Sequence, residues 1–317
     1  MTPLTRNPKT LALGVALVSV AALACQPVPG DLRIAWAPVE AFNRQLPDRI
    51  RVYAGADPSI PLRAWYVRVQ RQDGNRLAQV SISADDDGVE TASEFAARTS
   101  ARVVVNAGFF RTDTEPPQHI GLLLVDQVLL QPPLTSVIYE EQRYYVARAA
   151  LGLMLDGSAD VAWVTGNEGV LYERSAPLLN TPSAPAAKPQ IESLIEWPVR
   201  DAVAGGPVLV DAGEVRITSQ EEVFFGTASA EAHPRSAAGV TAEGELIVMV
   251  VDGRQRESRG VDLQELAELM RDVGCVEALN LDGGGSSTLV VNGTLVNLPL
   301  GSESQREVMS ALTVMEP

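Results

Sequence analysis

The amino-acid sequence predicts an α+β fold: mixed β-sheets with flanking helices and a C-terminal βαβ element. Three observations predict it. Short β-prone stretches separated by Gly, Pro, Asp and Asn fill residues 49–83 and recur up to residue 164. Residues 245–251 form an almost unbroken apolar run, and 276–281 form another. Between those runs, Leu263, Leu266, Ala267, Met270 and Val273 recur at helical spacing. A chain of 317 residues with 46% hydrophobic and 21% charged residues can bury a sizeable core. Its 25 Lys and Arg against 40 Asp and Glu leave a net charge of −15, which argues against a nucleic-acid partner.

The first segment reads as an address. Arg6 and Lys9 precede an apolar run over residues 11–24 that ends in Ala22-Leu23-Ala24-Cys25. Fourteen residues make a helix of about 21 Å at about 1.5 Å per residue, short of a ~30 Å hydrocarbon core. The run therefore reads as an export leader rather than a spanning helix, and Cys25 stands where a lipoprotein is cut and acylated. The expected organisation is an export signal over 1–24, a tether and first edge element over 25–48, and one domain over 49–317. The chain is expected to be exported and to touch the membrane only through its lipid anchor. Cys275, the second of two cysteines, lies in an apolar strand and reads as a buried filler, so no disulfide framework is expected. Two histidines, His119 and His233, cannot build a histidine-rich metal site. The cofactor expectation is none, with a hard divalent cation left open because oxygen ligands are plentiful.

The elements follow in order. Strands are expected at 49–53, 62–70 and 77–83, a short helix at 92–98, a buried strand at 102–106, and further strands at 121–125, 150–155 and 161–164. The Pro-, Ala- and Ser-rich stretch 175–189 reads as an exposed loop. The run 245–251 suits a strand covered on both faces. A helix follows, with Asp262 at its N-cap and Gly274 closing it, and then a strand over 276–281. Strand, helix and strand with short connections make a βαβ unit whose strands run parallel. Asp252 and Asp282 then end on one rim, one to two strand spacings of ~4.8 Å apart. Carboxylates at such separations serve retaining and inverting glycosidases alike. Glu265, three residues after Asp262, fits a capping box and is also carried as a catalytic candidate.

Asp282-Gly283-Gly284-Gly285-Ser286-Ser287 is the strongest local motif, because three glycines let main-chain N–H groups come close to an anion. It is a poor nucleotide loop: no lysine follows, and the segment before Asn292-Gly293 reads as a hairpin arm. Arg235 and Arg254 could supply the charge a bound phosphate needs. Asn106 ends a buried strand, and Gly205-Gly206-Pro207 forms a close-approach loop. Phe109 and Phe110 read as packing residues, and His233, before Pro234, as structural.

Taken together and in order, Val105-Asn106-Ala107-Gly108-Phe109-Phe110, Ala204-Gly205-Gly206-Pro207, Pro234-Arg235-Ser236-Ala237-Ala238-Gly239, Val251-Asp252-Gly253-Arg254 and Asn280-Leu281-Asp282-Gly283-Gly284-Gly285-Ser286-Ser287 resemble the phosphodiester glycosidase family. The likeness runs from about residue 50 to the C-terminus. It implies a phosphodiester glycosidase-like fold and hydrolysis of the glycosidic C–O bond of a sugar-1-phosphodiester, with a phosphorylated glycan of the cell envelope or an exopolysaccharide as partner. It also implies substrate-binding roles for Asn106, Gly108, Gly205, Gly206, Arg235, Arg254, Asn280, Gly283, Gly284, Gly285 and Ser286, with Asp282 or Asp252 as nucleophile or base. Ala107 stands where the family has glycine and is expected to narrow the pocket; Ser236 and Asp262 stand where it has threonine. Two other readings stay open: a non-catalytic glycan-binding surface lipoprotein, and a phosphohydrolase cutting the P–O bond.

Overall fold

The computed structural model describes residues 32–71, 77–190, 194–227 and 231–316. The export signal and Cys25 lie outside the described residues. Among the described residues, no helix is long and apolar enough to cross a membrane.

Three sheets carry the chain. In the eight-stranded sheet the spatial order is Ala35–Pro38, Ile50–Ala56, Arg63–Val69, Leu246–Val251, Arg235–Thr241, Cys275–Asn280, Val208–Asp211 and Glu214–Val215. The seven-stranded sheet centres on Arg148–Met154, flanked by Ala159–Asn167 and Val199–Ala204. The five-stranded sheet centres on Val103–Asn106, between Leu289–Val291 and Ser310–Val314. Its outer hairpin, Leu289–Val291 with Thr294–Leu295, turns at Asn292 and Gly293, both at positive φ. That is the backbone an Asn-Gly hairpin turn demands.

Leu246–Val251 shows how the sequence drives these layers together. Leu246, Val248 and Val250 join a core shared with Leu151 and Trp163 of the seven-stranded sheet and Val103 and Leu312 of the five-stranded one. Ile247, Met249 and Val251 face the helix Leu263–Asp272, whose Leu266, Ala267, Leu269 and Met270 are buried. A strand covered on both faces reads as continuously apolar, as this one does. The helix begins with a full capping box between Asp262 and Glu265, and Gly274 follows it at φ +102°.

The βαβ expectation needs one correction. Leu246–Val251 and Cys275–Asn280 do run parallel, but they are not neighbours, because Arg235–Thr241 pairs antiparallel with both. Every strand pairing in the three sheets is antiparallel. Local periodicity reveals that a strand is buried on both faces; it does not reveal that a strand from earlier in the chain has been inserted between two others.

Candidate active site

The inserted strand makes the site. Because it runs against its neighbours, its first residue, Arg235, arrives at the edge where theirs end. The rim therefore reads Asp252, Arg235, Asp282 across three strands, with the two aspartates two strand spacings, roughly 10 Å, apart. Asn106 ties the five-stranded sheet to this rim: its Nδ2 donates to the Asp282 carbonyl at 2.6 Å, and its Oδ1 accepts from Ser236 Oγ at 2.7 Å and Thr288 N at 3.2 Å.

Beside the rim lies a cleft of about 470 Å³. Four arginines, Arg148, Arg235, Arg254 and Arg306, share its wall with His233 and a group of aromatic and glycine residues, and among the described residues no carboxylate lines it. In a chain of net charge −15, that concentration of positive charge gives the cleft a potential complementary to an anion. Arg235 is buried; its Nε donates to the Val261 carbonyl at 3.2 Å and its Nη2 to that of Glu231 at 2.8 Å. Burial, together with the charge of Arg254, brings it down to about 10, still protonated at neutral pH. Arg254 sits at φ +58° with Nη2 3.3 Å from His233 Nδ1.

The three glycines bring the chain close to its neighbours, and one of them makes room for a guanidinium group. A methyl group on Gly285 would meet Leu300 at 2.6 Å and Arg306 Nη2 at 2.7 Å; one on Gly283 would meet the Pro234 carbonyl at 3.0 Å; one on Gly284 would stand 3.5 Å from Arg254 Nη1. Only at Gly285 does a guanidinium occupy the space a side chain would need; Gly283 is closed by the Pro234 carbonyl, and Gly284 is set by its positive φ of +63°. The amides are less available than the sequence suggests. Gly284 N–H donates to the Pro234 carbonyl at 2.8 Å, and Gly283 N–H serves the Asp282 carboxylate.

Asp282 stands directly before this loop, half-buried; it does not itself line the cleft but adjoins Gly283, which does. Burial pushes its carboxyl up to about 6, while the Ser286 hydroxyl, the nearby charge of Arg306 and the Gly283 N–H pull the other way. A carboxylate raised toward neutrality beside a cationic cleft is a usual arrangement for a group that exchanges a proton or attacks a substrate.

Asp252 is different. It is completely buried, and its carboxylate accepts from Asn297 Nδ2 at 3.0 Å and Leu298 N at 3.1 Å. Asn297 in turn donates to the Ser287 carbonyl at 2.8 Å, so Asp252 braces the segment after the glycines and does not reach the cleft wall. Glu265 is corrected as well: it completes the capping box and pairs with Arg259, away from the cleft.

Of the substrate-binding candidates, Gly206, Arg235, Arg254, Asn280, Gly283, Gly284 and Gly285 line the cleft, whereas Asn106, Gly108, Gly205 and Ser286 lie behind it. Gly108 makes room for His119, and Gly205 for the Asn280 carbonyl. Ala107 does not narrow the pocket; it belongs to the central core. Phe109, Phe110 and His233, expected to be structural, line the wall. Sequence reasoning did not assign Arg148, Phe224 or Arg306 to the site. Nothing near them in sequence marks them: Arg148 opens an ordinary strand, and Arg306 lies in a polar stretch close to the C-terminus.

Comparison with known proteins gives a family and a fold. Residues 99–315 match the model of the family described as phosphodiester glycosidase. The N-acetylglucosamine-1-phosphodiester alpha-N-acetylglucosaminidase of Mus musculus is 28% identical over 235 residues, and that of Homo sapiens 29% over 239; each alignment covers 72% of this chain and 40% of the relative. The chain thus spans well under half the length of these curated relatives. The catalytic domain of the zebrafish enzyme of that name, solved in a form auto-inhibited by its pro-peptide, superposes with a TM-score of 0.60 at 23% identity, covering 84% of this chain and 82% of the other, a likeness of fold. With more than half its length matched by the family model, the chain belongs to the phosphodiester glycosidase family.

Proposed function

We propose that this chain hydrolyses the glycosidic C–O bond of a sugar-1-phosphodiester, releasing the sugar and leaving a phosphomonoester on the other partner. The observation that carries the reading is the cleft walled by four arginines with Asp282 directly behind its glycine loop. Arg235, Arg254 and Arg306 hold the phosphodiester and stabilise the charge that gathers on it as the bond breaks. The electron pair of the C–O bond stays with the phosphate oxygen, and an oxygen derived from water ends on the anomeric carbon. Phosphate is a good leaving group, so one carboxylate, Asp282, suffices at the anomeric centre. Retention of anomeric configuration assigns Asp282 as nucleophile; inversion assigns it as the base toward water.

No cofactor enters the proposed reaction, so turnover is expected to survive treatment with EDTA. Among the described residues, no group of three or more His, Cys, Asp or Glu side chains is gathered as for a metal. The leader over 1–24 and Cys25 extend the proposal to an exported, lipid-anchored enzyme acting on a cell-envelope or extracellular glycan conjugate. Mass spectrometry of the mature N-terminus tests the anchor.

The deciding experiment incubates the purified domain with a panel of sugar-1-phosphodiesters in ¹⁸O-water and measures reducing sugar and phosphomonoester together. Equal release, with label on the anomeric hydroxyl, is the expected result. Label in the phosphate product would make the protein a phosphohydrolase, and binding without release would make it a glycan-binding protein.

A further inference from the structure

Three of the four cleft arginines crowd one place, the glycine loop, and the fourth stands apart from it. Arg148 opens the central strand of the seven-stranded sheet. Its guanidinium carbon lies 4.1 Å from the centre of the Phe224 ring. Phe224 and Glu222 in turn pack against Gly206, where a methyl group would meet Phe224 at 3.0 Å and Glu222 Oε2 at 2.5 Å. The group is rigidly held: Nε donates to the Glu222 carbonyl and Nη2 to that of Val223, both at 3.1 Å. Those two bonds leave Nη1 with no hydrogen-bond partner among the described residues, and it is not among the buried polar atoms that lack one. Arg148 forms no salt bridge among the described residues. The charge of the neighbouring Glu222 reaches Arg148, but its carboxylate spends its hydrogen bonds elsewhere, accepting from Ala149 N, Val208 N, Thr218 Oγ1 and Trp163 Nε1.

A phosphodiester carries a single negative charge, and the loop cluster of Arg235, Arg254 and Arg306 already faces it. We propose that Arg148 is a second anion-binding pole, and that the preferred substrate carries, beyond the scissile phosphodiester, a further negative group that meets the Arg148 guanidinium over Phe224. The substrate class is a polyanionic glycan conjugate whose second group is a carboxylate or another phosphate. Stacking on Phe224 and two bonds to main-chain carbonyls hold the fork in place, so little freedom is lost when an oxyanion binds to it. This inference rests on the reading of the cleft as a sugar-phosphodiester site.

The test uses three phosphodiesters of one sugar whose aglycones end in a neutral alkyl group, a carboxylate or a phosphate. Wild type is expected to favour the charged aglycones in kcat/KM by about tenfold or more, the worth of one charge-assisted hydrogen bond. The preference should shrink as salt is raised. Arg148→Gln should bring the charged-to-neutral ratio to within about twofold, and Arg148→Lys should restore part of it. A purely structural Arg148 would leave the ratio untouched in both variants. The carboxylate and phosphate arms tell which anion the pole takes. Equal kcat/KM for all three substrates in wild type overturns the proposal without any variant having to fold, and so does a ratio that survives Arg148→Gln. Should none of the diesters be hydrolysed, the glycosidase reading fails. Calorimetric binding of the same three compounds to wild type and Arg148→Lys then reads the pole by the same ratio.

Discussion

Two strand ends on one rim, Val251-Asp252-Gly253 and Leu281-Asp282-Gly283, begin from the same local chemistry: an apolar strand, an aspartate, a glycine. They finish in different roles. Asp252 is sealed from solvent and spends its carboxylate on Asn297 and Leu298. Asp282 is half-buried, accepts from Ser286 and the Gly283 N–H, feels the charge of Arg306, and is raised to about 6. What separates them is the segment that returns over each end. Residues 297 and 298 cover Asp252 with donors aimed at its carboxylate, whereas the chain after Asp282 is three glycines, the last of which leaves its side-chain space to Arg306 and Leu300. An aspartate becomes a brace or a reagent according to what folds back over it.

The largest effect expected from this contrast is on turnover. Asp282→Asn should cut kcat by at least about a hundredfold, the low end for loss of a positioned acid–base or nucleophilic group. Asp252→Asn should act first on stability, costing about 1–3 kcal/mol because one carboxylate oxygen facing the Leu298 N–H or the Asn297 amide is replaced by an NH2 donor. Thermal unfolding and kcat measured side by side check both. Reversal, with the Asp252 variant folded but inactive and the Asp282 variant active, would break the comparison.

Titration sharpens the same contrast. If Asp282 works as a carboxylate, kcat should rise with pH through about 6. Stability should move the opposite way. The carboxyl is raised in the folded protein, so the folded state binds its proton more tightly than the unfolded chain does; that contribution is full below about pH 4 and is lost as pH rises through about 6. Asp282→Asn removes the cost of burying the charge. Relative to wild type, the variant should therefore gain on the order of 2 kcal/mol between pH 4 and pH 7, at about 1.4 kcal/mol per unit of displacement. The burial of Asp252 raises its carboxyl too, but that contribution is common to both proteins and cancels in the difference. A parallel pair of Tm-against-pH curves would mean that Asp282 titrates normally.

Gly285→Ala probes the loop with a smaller effect. The atoms its methyl group would meet are the ends of the Leu300 and Arg306 side chains, both able to shift. The fold should survive, and KM should rise several-fold as Arg306 is displaced. An unchanged KM would detach Arg306 from the phosphate.

Much of the rim could be read from sequence, for a physical reason. The apolar runs, the Asp262–Glu265 cap, the Asn292-Gly293 turn and the glycine triplet are local, and each carries its cause within a few residues. Arg148, Phe224 and Arg306 were not legible, because what brings them to the cleft is strand order across two sheets and a return from the C-terminus. The bracing contacts of Asp252 were not legible on the same account: its partners, Asn297 and Leu298, lie 45 and 46 residues away. The glycine triplet was assigned to the right place, but the use of the Gly283 and Gly284 N–H groups within the fold, and the room Gly285 leaves for Arg306, depend on partners outside the motif.

Glu265 gives the smallest expected effect and the plainest check on that lesson. Its spacing from Asp262 supported both a cap and a catalytic carboxylate, and the structure engages it twice as a structural group: with the helix N-terminus and with Arg259. Glutamine can still accept from the Asp262 N–H, so Glu265→Gln should lose only the partly exposed ion pair, less than about 1 kcal/mol. Glu265→Ala loses the cap contact as well and should cost about 1–2 kcal/mol. In both, kcat should stay within about twofold of wild type. A hundredfold loss of kcat in a Glu265→Gln protein of normal Tm would return this carboxylate to the chemistry and would mean that the helix start, rather than the glycine loop alone, reaches the substrate.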